Sequence, residues 1–139
     1  MDIHYQTESE IEAVVHGFES CETAKTNFPH RHHLTVAVWY LQNMGTRDAT
    51  ERMRTALLRF VDHHGVDRRK YHETLTAFWI EMVAVEVGKM SPKATLVEKC
   101  NQVIESLQDK DLVNEYYSKA LLESTEAREG FVAPDLRSW

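Results

Sequence analysis

Six of the eight histidines fall between positions 30 and 72, and histidine is the side chain best suited to binding a transition metal or moving a proton near neutral pH. His30 and His33 stand three apart, so a helix running through them places both imidazoles on one face as a two-ligand clamp. His32 lies about 100° round from His33 and is read as solvated. Near a helix N-terminus the dipole disfavours an imidazolium, which keeps such rings neutral and able to act as ligands. His72-Glu73 opens a further helix by the same logic, where the carboxylate is favoured. The pair fails the H-E-x-x-H metalloprotease signature, because Thr76 stands where the second histidine is required. His72 remains a ligand or base, and Glu73 a ligand, an orienting partner or an acid. Thr76, one turn after His72, can hydrogen-bond in the same space.

The elements that must position these residues are helical almost throughout. Thr7 and Glu10 form a capping box, and Ile11, Val14, Val15, Phe18 and Cys21 follow at spacings of three and four, which predicts a first helix to about Lys25. Thr26-Asn27-Phe28-Pro29 is a turn, with Pro29 as the first residue of a second helix that stops near Gly45. Asp48 caps a third helix, whose stripe of Met53, Leu57, Phe60 and His64 ends at Gly65. Leu75, Phe78, Trp79, Met82, Val83 and Val87 mark a fourth, ending near Gly88. Ser91-Pro92 caps and opens a fifth, with its core face from Leu96 to Leu107, and a sixth runs from about Lys110 to Leu122. Ser124 to Glu129 adds a short turn. No alternating run rich in Val, Ile and Thr appears, so strands are not expected.

The fold class is therefore all-α: an up-and-down bundle of four core helices with one or two further C-terminal helices, in a single domain over 1–139. If the second and fourth helices run the same way, their starts share one end of the bundle with His64. His30, His33, His64, His72 and Glu73 then converge as ligands for a divalent transition metal: zinc, iron or manganese.

Structural alternatives stand beside each assignment. His64 on an apolar stripe serves equally as a core or C-terminal capping histidine, and His30 with His33 as an N-terminal hydrogen-bonding cluster. Thr74 and Thr76 can return their hydroxyls to the backbone. Trp39, Tyr40, Phe78 and Trp79 read more simply as core than as a cofactor box. The tail from Phe131 to Trp139 is too apolar to dangle and should dock on the bundle or on a second subunit. Arg128 then pairs with Asp135 or with a substrate carboxylate, the structural pairing being favoured.

Composition narrows the classes. With 42% apolar and 27% charged residues, three Pro and five Gly, the 139-residue chain has a globular balance. Cys21 and Cys100 are off any C-x-x-C spacing and no apolar leader precedes a cleavage site, which points to a reducing cytoplasm. The most apolar stretch, Leu75 to Val87, is too short to span a membrane and is interrupted by Glu81 and Glu86. Positions 47 to 70 hold seven bases against four acids, yet the net charge of −6 opposes binding to nucleic acid.

The segments Phe28-x-His30-x-x-His33-Leu34-x-Val36-Ala37-x-Trp39-Tyr40-Leu41, His64-Gly65-Val66, Tyr71-His72-Glu73-Thr74-Leu75-Thr76-x-Phe78-Trp79 and Ala127-Arg128-x-x-Phe131-Val132-x-Pro134-Asp135-Leu136 resemble a group of small, uncharacterised bacterial all-helical proteins. The resemblance spans most of the chain from about Phe18 and implies a stand-alone protein, but it brings no established activity. Such sequences commonly carry tryptophan at the place of Phe28.

Three functions remain open. The first is a metal-binding bundle, a small metalloenzyme acting on a small molecule, with His72 and Glu73 catalytic and Arg128 and Thr76 on the substrate. The second is a metal-free pocket in which the His72/Glu73 pair binds the ligand. The third is a non-catalytic homodimeric interaction protein.

Overall fold

The computed structural model describes residues 4–139, and every element among them is helical. The helices are α1 (Glu8–Glu19), α2 (His30–Leu41), α3 (Thr46–His63), α4 (Glu73–Gly88), α5 (Leu96–Leu107), α6 (Lys119–Leu122) and α7 (Thr125–Glu129). Three 3-10 segments, Lys25–Asn27, Arg68–Lys70 and Lys110–Glu115, lie between them.

Two helices form the centre. In α2 the run Leu34 to Val38 is buried continuously, and α4 buries Phe78, Ile80, Met82 and Val83, so neither has a solvent face along its middle. Helix α2 packs against α1, α3, α4 and α5, and α4 against α2, α3, α5 and α7. The outer helices are amphipathic: α3 buries only Ala49, Met53, Ala56 and Phe60, spaced four, three and four apart.

The ends follow the chemistry of their caps. The Thr7–Glu10 capping box opens α1 as expected. The helix stops at Glu19, short of Lys25, because the chain reverses through Cys21 at φ 64° and folds Thr23 back onto Gly17, whose missing Cβ leaves the room that the Thr23 hydroxyl fills. Pro29 takes the capping position of α2, so the helix starts with His30. Helix α3 begins two residues before Asp48, after Gly45. It ends in a Schellman turn, with Val66 N–H on the Val61 carbonyl at 2.8 Å and Gly65 in the left-handed region at φ 69°.

Two expected helices are shorter than their patterns suggested. A second capping box, Thr95 with Glu98, starts α5, and Ser91 only closes a local turn before it. The segment from Lys110 to Leu122 is broken rather than continuous. Asp109 caps a 3-10 stretch, Tyr116 and Tyr117 turn inward, and Ser118 caps the single turn of α6.

Both ends of the described segment are tied down. The buried Asn101 side chain accepts from Tyr5 N–H at 2.9 Å and donates to the Tyr5 carbonyl at 2.9 Å, pairing the N-terminal chain as a strand neighbour would. The tail docks on the bundle of its own chain: Thr74 Oγ1 donates to the Gly130 carbonyl and accepts from Val132 N–H, Tyr117 donates to the Val132 carbonyl, and Leu136 N–H reaches the Tyr116 carbonyl. Among the described residues no helix is long and apolar enough to cross a membrane.

Candidate functional site

The starts of α2 and α4 do come together, around one pocket of about 360 Å³. Helix α2 contributes His30, His33 and Ala37, and α3 contributes Met53, Leu57 and Val61. The chain entering α4 adds Lys70, Tyr71 and His72, and α4 itself adds Leu75, Thr76, Trp79 and Ile80. The walls are thus mostly aliphatic, with Trp79 and Tyr71 as aromatic members, Lys70 and Thr76 as polar ones, and the three imidazoles at the helix starts. Such a volume lies at the lower end of small-ligand pockets.

The three histidines differ in what their ring nitrogens are free to do. His72 is fully engaged. Its Nδ1 accepts from Leu75 N–H at 3.1 Å, so the imidazole itself caps α4, and its Nε2 sits 2.7 Å from the Leu122 carbonyl. A carbonyl only accepts, so Nε2 must carry the proton and the ring is neutral. Burial and the nearby charge of Arg128 both hold its pKa below the ordinary value. Thr76 donates its hydroxyl to the His72 carbonyl at 3.0 Å, which keeps an oxygen lone pair available at the pocket wall.

His30 is half engaged. Its Nε2 donates to the Leu107 carbonyl at 3.0 Å, anchoring the start of α2 to the end of α5, and its ring meets Trp79 edge-on at 4.5 Å. That bond leaves Nδ1 with its lone pair. Burial is the main cause of a lowered pKa here, so this ring too is neutral.

His33 is the open one. Neither of its nitrogens has a hydrogen-bond partner among the described residues, and its ring packs against Phe28 at 4.4 Å and Phe18 at 6.5 Å. Removal from water pushes its pKa down to about 4, and the neighbouring His30 and His32 add to the effect. At neutral pH it is an uncharged imidazole offering one donor and one acceptor to the pocket.

The other expected site residues go elsewhere. Glu73 does not line the pocket. Arg54 grips its carboxylate with two bonds, Nε to Oε1 at 2.8 Å and Nη2 to Oε2 at 2.5 Å, while the Tyr71 hydroxyl donates to Oε1 at 2.5 Å. The Arg54 pairing lowers its pKa, so Glu73 is an anion already held by three hydrogen bonds. His64 caps the end of α3 with its ring on Phe60 at 4.5 Å, and its buried Nε2 has no partner among the described residues. His32 is partly buried rather than solvated, and its Nδ1 has no partner among the described residues. Arg128 does not pair with Asp135: it donates to the carbonyls of Arg69 and Lys70 at 3.0 and 3.4 Å, and Asp135 accepts from Ser118 N–H.

The five-residue ligand set read from the sequence therefore does not assemble. His72 has both nitrogens engaged, and Glu73 and His64 lie outside the pocket, which leaves His30 Nδ1 and His33 of the five. No group of three or more His, Cys, Asp or Glu among the described residues is arranged to hold a metal ion.

Trp79, Tyr71 and Lys70 are among the contributors missed by sequence reasoning. Trp79 was assigned to the core, but its place four residues after Leu75 and three after Thr76 puts it on the pocket stripe. The row Met53, Leu57, Val61 at i, i+4, i+8 was the matching signal on α3. Fold and site define a small all-helical protein with an apolar pocket edged by neutral histidines. Comparison with family models, curated proteins and solved structures finds no match for the chain.

Proposed function

We propose that this protein binds a small molecule in the pocket between α2, α3 and α4, with His33 and His30 as its polar contacts. The observation that supports this reading is that neutral imidazoles with unspent nitrogens face an aliphatic chamber of about 360 Å³. An apolar pocket with a few convergent polar groups is the form ligand sites take. A pKa of about 4 makes His33 a weak base at neutral pH, far from the value an efficient general base needs. Binding through a hydrogen bond is thus favoured over proton abstraction. The scaffold we propose is the up-and-down bundle, with the direct connections between α2, α3 and α4 making neighbours of consecutive helices.

The test is a fragment screen read by the indole proton of Trp79 and the ring protons of His33. Fragments that shift both, and cease to do so in Ala37→Phe with the fold intact by circular dichroism, support the reading. Shifts confined to the outer surface, unaffected by Ala37→Phe, overturn it.

A metal-containing site is the second reading, and the clamp of His30 and His33 one turn apart on α2 favours it. Two protein nitrogens fall short of the three that a catalytic zinc usually has, so an exogenous ligand would complete the shell. Elemental analysis of protein purified without a nickel column, with His33→Ala as control, separates the two readings. Stoichiometric metal lost in the variant favours the metal.

A further inference from the structure

We propose that the ligand of this pocket is an apolar monocarboxylate, an acid of about ten carbons with its chain among the aliphatic walls and its carboxylate at the rim against Lys70. This rests on the pocket reading above and goes beyond it to the chemical class of the occupant. Three features of the molecule support it.

The first is the charge of the walls. Among the described residues Lys70 is the one lysine or arginine lining the pocket, and no acid lines it. The nearest candidate acid, Glu73, is consumed by Arg54 and Tyr71 and does not reach the cavity. An amine would therefore meet a like charge and no counter-ion.

The second is that the positive charge at this end is uncompensated. In the same loop Arg68 pairs with Asp62 at 3.2 Å and Arg69 with Asp67 at 2.8 Å, but among the described residues neither Lys70 nor Arg128 has a carboxylate partner. Arg128 spends its bonds on the carbonyls of Arg69 and Lys70, which holds the loop in place, and its charge lies close enough to His72 to oppose protonation of that ring. Two cations beside a low-dielectric cavity produce a field that draws in an anion. The neutral N–H of His33 is a further donor within the pocket.

The third is size and wall chemistry. At the roughly 30 Å³ that a water molecule occupies, the chamber has room for about a dozen heavy atoms. The walls from Ala37, Met53, Leu57, Val61 and Ile80 are aliphatic, which suits an alkyl chain, and Trp79 closes one side.

The experiment is isothermal titration of the full chain with decanoate, decanol and decylamine, each below its aggregation concentration, in wild type, Lys70→Glu and Ala37→Phe. Decanoate should bind about fivefold tighter than decanol, the gain of an exposed ion pair worth up to about 1 kcal/mol, with decylamine weakest. The acid preference should shrink at high salt. Lys70→Glu, at an exposed position, should reverse the order of acid and amine without altering the melting temperature, and Ala37→Phe should remove all binding. If decanol matches decanoate in wild type and Lys70→Glu changes nothing, the carboxylate assignment is overturned while the pocket reading survives. If none of the three binds, or all bind Ala37→Phe equally well, both fall together.

Discussion

The starts of α2 and α4 carry the same kind of residue at the same kind of place, yet the molecule uses them differently. His72 spends both nitrogens on its own scaffold, capping α4 and holding the end of α6. His30 spends one, and His33 spends none. Residue type and helix position do not decide whether a histidine is available for chemistry. The neighbours decide, by saturating the ring or leaving it open. At α4 the saturating groups are the Leu75 amide and the Leu122 carbonyl. At α2 the neighbours of His33 are Phe28 and Phe18, which half-bury its ring but offer no hydrogen bond to its nitrogens.

The widest gap between the two starts should appear in stability. His72→Ala removes a helix cap, orphans the Leu122 carbonyl and opens a void, for a loss of about 3 kcal/mol in urea unfolding. His33→Leu at pH 7 should change stability by less than about 1 kcal/mol, since a neutral ring without partners is replaced by a side chain of similar bulk. Equal losses in the two variants would erase the distinction.

Glu73→Gln comes next. It keeps the shape but strips the counter-charge from Arg54, which is 40% exposed, so the cost should be about 1.5 kcal/mol after allowing for solvent screening. The same equilibrium unfolding measures it. Ligand binding should survive unchanged, because Glu73 is not on the pocket wall.

A smaller effect lies in pH. His33 has a folded pKa of about 4, below its ordinary 6.5, so below that ordinary value the unfolded chain takes up a proton that the native ring refuses. Its contribution is complete above about pH 6.5 and is lost as the pH falls toward 4. His30, His32 and His72 shift in the same direction through burial, so the wild-type slope is shared among them. His33→Leu should flatten the fall in stability between pH 6.5 and 4 without abolishing it. An unaltered slope would show that His33 titrates as a solvated ring.

The fold was legible where local signals agreed. The capping box at Thr7, the Gly65 stop and the wide apolar stripe of α2 each determine an element from a few neighbouring residues. The region from Lys110 to Leu122 was not legible, because Tyr116 and Tyr117 fit a helical stripe as well as they fit the inward turn they make. In the site, His30, His33 and His72 line one pocket, whereas His64 and Glu73, expected beside them, do not. The fate of Glu73 was not legible, since its partner Arg54 is 19 residues away on another helix and nothing local marks the pair. Nor was the engagement of His72, whose second partner lies 50 residues on. Hydrogen bonds between distant segments decide the role of a side chain, and periodicity carries no trace of them.

The most direct check on the contrast between the two helix starts is the tautomer and titration of each histidine ring, read by long-range proton–nitrogen correlation in nitrogen-15-labelled protein. His72 and His30 should each appear as a single tautomer with the proton on Nε2, and His33 should stay neutral down to a midpoint near pH 4 and shift when a ligand enters the pocket. A His72 ring in mixed tautomers that titrates near 6.5, or a His33 ring already charged at pH 6, would contradict the account.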